Sequence, residues 1–272
     1  LKRANIGVAM GITGTDVTKQ TADMVLTDDN FASIVSAIEE GRIIYSNIRK
    51  FVFFLISCNV GEILIIFLAM LAGLPSPLSP IQLLFLNLVS DGAPALALGM
   101  EPGEPDMMNR PPRPVREPII NRDMQISIAV QAVVMTIAVL GAFLFAGAHP
   151  GADPNDPNLP KWETVAFATL VTSELLRAFV VRSERISVFK IGLFTNKWMV
   201  YAVAFSFVLV MATIYVPFLN PIFDTVPLRL TDWLWILPFA MLDSIAAELF
   251  KIYLRAKARR TETALAAQME LA

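Results

Sequence analysis

Residues 51–72 read FVFFLISCNVGEILIIFLAMLA, a continuous apolar run in which Glu62 is the only charged residue. About 20 apolar residues at 1.5 Å per residue suffice to cross a hydrocarbon core about 30 Å thick, so this run predicts a transmembrane helix. Outward from it, five more runs of spanning length follow at about 80–99, 125–147, 164–182, 198–219 and 232–253. Composition agrees: 55% of the 272 residues are hydrophobic and 17% charged, with a mean hydropathy of +0.58. A single soluble domain of this size is not so apolar. The expected architecture is a mainly α, six-helix transmembrane bundle.

Basic residues concentrate in cytoplasmic loops, which orients the bundle. Before the first span lie Lys2, Arg3, Lys19, Arg42, Arg49 and Lys50, and the second loop carries Arg110, Arg113, Arg116 and Arg122. The same side collects Arg182, Arg185, Lys190 and Lys197, then Lys251, Arg255, Lys257, Arg259 and Arg260, giving 19 of the 22 basic residues. Lys161 and Arg229 fall on the other face and Arg177 within a span. Both termini are therefore expected in the cytosol. The net charge of -2 gives no indication of nucleic-acid binding. The single cysteine, Cys58, excludes intrachain disulfides and four-cysteine metal sites and is read as helix packing. His149, in a Pro- and Gly-rich loop, is read as a solvated turn residue.

Upstream of the first span the texture changes. Ile6–Met10 is a short apolar run closed by Gly11, Asp16-Val-Thr-Lys19 reads as a helix start, and Met24-Val25-Leu26 reads as a buried strand. Strand, helix, strand over residues 1–30 predicts the end of an α/β domain. From Asn30 to Gly73 the only helix-weakening residues are Gly41 and Gly61, and Asp29 or Asn30 offers a cap. One helix over about 31–72 is expected, its cytosolic part, 31–50, forming a stalk; the alternative is a bend near Gly41. Residues 51–253 hold the six spans and 254–272 a cytosolic tail. With no initiator Met and no visible signal peptide, the chain is read as the C-terminal part of a longer polypeptide.

Charges at bilayer depth are costly and mark functional cavities or ion pairs. Glu62, Asp91, Glu174, Arg177 and Asp243 are such charges, with Glu248 near the cytosolic edge. Asn59 and Glu62 are three apart on one helix, and Asn87, Ser90 and Asp91 stand at i, i+3 and i+4 on the next. Five oxygen-bearing side chains are thus expected to face a shared volume. Pro94 has no N–H to give the Ser90 carbonyl, and Gly92 loosens the same turn, so that carbonyl is expected to be available to a ligand. Such hard oxygen donors favour Ca²⁺ and similar cations. Glu174 either adds a carboxylate or is neutralised by Arg177, one turn on. Asp243 is read as an interhelical hydrogen-bond partner, Glu248 and Lys251 as a local pair, and Trp233 and Trp235 as part of an interfacial belt.

These residues carry a resemblance. Asn5-Ile-Gly-Val-Ala-Met-Gly11, Thr15-Asp-Val-Thr-Lys19 and Ala22-Asp-Met-Val-Leu-Thr-Asp-Asp-Asn30 resemble the end of the HAD-like phosphorylation domain of type II P-type ATPases. Ser57-Cys-Asn-Val-Gly-Glu62 and Leu86-Asn-Leu-Val-Ser-Asp-Gly-Ala-Pro94 resemble the fifth and sixth transmembrane helices of the calcium-pump branch. The resemblance extends over nearly the whole chain and is densest from 1 to 123. It implies family helices five to ten of an ATP-driven pump that cycles through an aspartyl phosphate, most simply exporting Ca²⁺ with protons returned. Carboxylates emptied of an ion in a low-dielectric core favour protonation, which makes proton return natural. The implied metal ligands are Asn59, Glu62, Asn87, Ser90, Asp91 and Glu174; Ser90 stands where animal relatives carry threonine and keeps the hydroxyl. Arg177 departs from the pattern and favours one ion over two. The Asp-Lys-Thr-Gly-Thr and Gly-Asp-Gly-Val-Asn-Asp motifs are absent from this sequence. ATP and Mg²⁺ would therefore bind in the missing N-terminal portion of the same polypeptide, and this part alone would not be catalytic. The expected setting is a bacterial plasma membrane, with the cation and the lipid bilayer as partners. Open alternatives are a pump for Mn²⁺, Na⁺ or K⁺ and a non-catalytic membrane subunit.

Overall fold

A computed structural model describes residues 1–109, 111–114, 117–153, 155–183 and 186–270, with side chains to residue 256. Arg110, Arg116 and Arg185 of the basic series, and the side chains of Lys257, Arg259 and Arg260, lie outside the described residues. The chain divides into two compact units, residues 1–46 with 102–115 and residues 47–101 with 116–272.

The first unit holds the expected strand, helix and strand. β1 (Val8–Met10) and β2 (Met24–Leu26) pair in parallel, Val8 against Met24, and α1 (Asp16–Thr21) connects them. The Thr15 hydroxyl accepts the Thr18 amide and caps α1. Ala9 and Leu26 are buried, whereas Val25 is exposed, so the second strand buries one face only. A Cβ on Gly11 would lie 2.6 Å from the Leu26 carbonyl oxygen, which the Gly11 amide itself binds at 2.7 Å; that approach requires glycine. Asp29, at φ 50°, turns back on the loop after β1 rather than capping the following helix. Its carboxylate accepts the Ile12 and Thr13 amides and the Thr13 hydroxyl, bonds that hold its pKa below the usual aspartate value. The cap falls to Asn30, whose Oδ1 accepts the Ala32 amide, while Asp28 binds the Ser33 hydroxyl. Arg42 donates to the Met107 carbonyl, and Arg113 stacks over the Tyr45 ring.

α2 (Ser33–Leu71) is a single helix with no break at Gly41, in agreement with the continuous reading. In the second unit, α3 (Pro80–Phe85), a π-helical turn (Leu86–Ser90) and α4 (Gly92–Gly99) together make one interrupted span. α5 (Arg122–Phe145), α6 (Leu159–Val181), α7 (Val188–Ile191), α8 (Lys197–Tyr215), α9 (Asn220–Phe223) and α10 (Leu230–Glu270) follow. Six of these segments are long and apolar enough to cross a membrane, making the chain an integral, multi-pass membrane protein.

Local chemistry sets the ends. Asn121 and Asn196 accept the Met124 and Met199 amides, starting α5 and α8 slightly before their apolar runs. The Gln82 side chain accepts the Ser79 amide at 3.1 Å at the start of α3, where Pro80 needs no donor partner. Pro160 is tolerated in the first turn of α6, which therefore begins before the expected 164. α6 is central: Thr164 to Leu175 is buried on every face, against α5, α8 and α10. Its Phe167 and Leu170 share one core with Ile65, Met135, Val139 and Phe143 of the neighbouring helices. A buried clasp ties three span ends together, Arg182 donating from Nε to both Glu101 oxygens at 3.0 Å while Asn196 Nδ2 donates to Glu101 at 2.6 Å.

Candidate cation site

The π turn positions the site. The Asp91 amide donates to the Leu86 carbonyl at 2.9 Å, one residue further than an α-helical bond reaches, and regular bonding resumes at Ala95 N to Asp91 O, 3.0 Å. Pro94 leaves the Ser90 carbonyl without its intrahelical donor. That carbonyl is not left wholly to a ligand: the Ser206 hydroxyl on α8 lies 3.4 Å from it and from the Val89 carbonyl.

Ser90 and Asp91 on this turn, Glu174 on α6 and Cys58 on α2 are all fully buried. The Cys58 sulfur and one carboxylate oxygen each of Asp91 and Glu174 lie within 4.8 Å of one another. Both oxygens of Asp91, both of Glu174, the Ser90 hydroxyl and Glu62 Oε1 have no hydrogen-bond partner among the described residues. Burying an ionised carboxylate with no compensating partner is very costly, so this cluster calls for a cation or for protons. Ca²⁺ binds oxygen at about 2.3–2.6 Å, so two oxygens up to about 5 Å apart can share one ion. The donor set fits.

The other expected ligands divide. Asn87 donates to Glu62 Oε2 at 2.8 Å and to its own helix at Leu83, joining the first two spans. Asn59 is not brought in: it is exposed, and its amide donates to the Leu55 carbonyl one turn back. A three-residue offset leaves Asn59 and Glu62 about 60° apart around the helix, enough to place one at the buried face and the other outside it. The expected single volume of five side chains thus becomes a Glu62–Asn87 pair and a buried Ser90, Asp91 and Glu174 group.

Arg177, also fully buried, does not neutralise Glu174. Its Nη1 lies 3.4 Å from Asp243 Oδ2 on α10, its Nη2 donates to Cys58 Sγ at 2.8 Å, and its guanidinium lies 5.7 Å from the Phe54 ring centre. Asp243 is accordingly an interhelical partner, as an ion pair. Glu248 pairs with Lys251 at 2.9 Å, as its i, i+3 spacing predicts. Cys58, expected to serve helix packing, lies in a core cluster and also beside the Asp91 and Glu174 carboxylates; its spacing of four from Glu62 puts the thiol on the same helix face.

Residues 75–253 match the family described as "Cation transporting ATPase, C-terminus". The chain is 46% identical to a "Calcium-transporting ATPase" of Bacillus subtilis (strain 168), over 87% of its own length and 26% of that protein's. It is 42% identical to "Calcium-transporting ATPase 1" of Bacillus cereus, over 93% of this chain and 29% of the relative. With "Calcium-transporting ATPase type 2C member 2" of Rattus norvegicus the identity is 39%, over 93% and 26%. The chain therefore spans 26–29% of the length of these curated relatives.

Proposed function

The chain belongs to the cation-transporting ATPase family, whose C-terminal region it matches over residues 75–253, and on that premise we propose that it supplies the ion-binding membrane part of an ATP-driven Ca²⁺ pump. The observation that carries the reading is the group of buried Asp91 and Glu174 oxygens without a donor among the described residues. Hard carboxylate and hydroxyl oxygens suit Ca²⁺ as the transported substrate, with Asp91, Glu174 and Ser90 as core ligands and Glu62 and Asn87 completing the shell. One Ca²⁺ moves per cycle, because the Arg177 side chain, ion-paired with Asp243, takes the ground beside Glu174 that a second ion would need. Protons return on the emptied carboxylates.

The rest of the polypeptide supplies what these residues do not: ATP, Mg²⁺ and the aspartyl phosphate belong to its N-terminal portion. Residues 1–30 close the HAD-like phosphorylation domain, 31–50 form the stalk and 254–272 a cytosolic tail. The basic residues on one side of the spans support cytosolic termini, and the Bacillus relatives support a bacterial plasma membrane.

The test is ATP-dependent ⁴⁵Ca²⁺ uptake by inside-out vesicles carrying the complete pump. Asp91→Asn is expected to lower uptake roughly 10- to 100-fold at limiting Ca²⁺, the scale of a lost charged ligand. Uptake that survives this change intact refutes the site. ATPase activation by Mn²⁺, Na⁺ or K⁺ in place of Ca²⁺ would transfer the reading to that ion.

A further inference from the structure

Cys58 is the member of the buried cluster that Ca²⁺ chemistry does not require. Its sulfur, on α2, lies within 4.8 Å of carboxylate oxygens from Asp91 and Glu174, and neither carboxylate has another hydrogen-bond partner among the described residues. Two unpartnered, fully buried carboxylates directed at a thiol make a mixed sulfur and oxygen donor set. Sulfur adds little to the binding of a hard ion but is the preferred donor of soft ones.

We propose that Cys58 is a specificity-determining ligand, through which a thiophilic divalent cation, with Cd²⁺ as its probe, occupies the pocket of Asp91 and Glu174. The proposal rests on the transport site described above and identifies a further class of ion for it. The donor atoms lie within 4.8 Å of one another, close enough to share one ion.

Electrostatics permit the same occupant. The Arg177 charge is matched by Asp243 at 3.4 Å, so the carboxylates of Asp91 and Glu174 remain to balance a dication. Arg177 Nη2, 2.8 Å from Sγ, holds the sulfur in place. Binding replaces the S–H bond by an S–Cd bond and releases one proton to water: Cys58–SH and Cd²⁺ give Cys58–S–Cd⁺ and H⁺. Cys58 is fully buried, so the metal reaches it by the route of the transported ion.

The experiment uses the complete pump. Cd²⁺ inhibition of Ca²⁺-activated ATP hydrolysis is measured in the unmodified protein and in Cys58→Ser and Cys58→Ala, and each variant is scored by its half-inhibiting Cd²⁺ divided by its own half-activating Ca²⁺. That ratio cancels any general loss of affinity, and it should rise roughly 10-fold or more in both variants. Sulfur-to-cadmium charge-transfer absorption should appear when Cd²⁺ is added to the unmodified pump without ATP, and saturating Ca²⁺ should erase it. A ratio unchanged in both variants, or no Ca²⁺-sensitive absorption in the unmodified protein, overturns the proposal. Where the variants do not fold, the absorption of the unmodified protein decides. Asp91→Asn separates the two readings. If it abolishes Ca²⁺ uptake while the cysteine variants keep their Cd²⁺ ratio, only the thiol ligand falls; if it leaves uptake intact, the transport site falls.

Discussion

Arg177 and Asp243 form a buried ion pair across α6 and α10, with 3.4 Å between guanidinium nitrogen and carboxylate oxygen, and Glu174, three residues before Arg177, keeps both of its oxygens without a donor among the described residues. The positive charge that spacing alone would have given to Glu174 is thus engaged elsewhere, which leaves an anionic ligand in the centre of the bundle.

Breaking that pair from one side should be costly. Asp243→Asn leaves a buried guanidinium uncompensated, and removing one partner of a buried pair costs about 3–5 kcal/mol. It also frees Arg177 to turn toward Glu174, so half-activating Ca²⁺ should rise roughly 10-fold, the scale of a charged hydrogen bond. Replacing both partners, Arg177→Met with Asp243→Leu, should lose less stability than Asp243→Asn alone. Thermal unfolding and Ca²⁺-dependent ATP hydrolysis of the complete pump measure both effects.

Glu174→Gln should cost Ca²⁺ uptake roughly 10- to 100-fold, since a neutral amide replaces a charged ligand. Glu248→Gln should stay within about twofold, because Glu248 is engaged with Lys251 and the Val188 amide rather than with the Asp91 group. Vesicle uptake across a Ca²⁺ series distinguishes them, and equal losses would contradict the assignment of Glu174 to the site.

Gly61→Ala tests how closely α2 and α5 approach. Its Cβ would collide with the terminal carbon of Met135, a fully buried side chain. Met135 is flexible and can yield, so the cost should be about 1–3 kcal/mol, typical of an overpacked core. Adding Met135→Ala should recover part of it, a non-additivity visible in thermal unfolding.

The Asp29 clasp predicts a pH dependence in the first unit. Amide and hydroxyl donors from Ile12 and Thr13 hold the folded carboxylate below its unfolded pKa of about 3.9. Its contribution is therefore complete above that value and is lost as pH falls through the lower, folded pKa. Hydrogen-exchange protection of the Ile12 and Thr13 amides should drop over that acid range. Asp29→Asn, which tolerates the positive φ but lacks the charge, should show reduced protection at neutral pH and no further acid loss.

Helix placement was legible because it depends on composition along the chain. The runs at 80–99 and 232–253 match Pro80–Gly99 and Leu230–Ala256, and the remaining ends moved only where a cap or proline intervened. Rotation about each helix axis was less legible. Asn59 and Glu62 share a face by spacing alone, yet only Glu62 faces the interior, because neighbouring helices decide which 60° sector is covered. The choice of Asp243 over Glu174 by Arg177 depends on how α10 meets α6, and no local pattern encodes that approach. Cys58 joined the carboxylates for the same reason: Asp91 and Glu174 come to it from two other spans.

The widened turn at Leu86–Ser90 has an arithmetic implication. A bond that skips five residues instead of four accommodates one surplus amino acid, and in a regular helix each amino acid is worth about 100° of azimuth. Were the segment to relax to an ordinary spiral with all of its residues, Asp91 would swing by about that angle, away from Glu174; removing one residue between Leu86 and Ser90 would instead close the spiral and leave Asp91 near its present azimuth. The interruption therefore acts as a phase-setter: it determines the compass bearing of the acid.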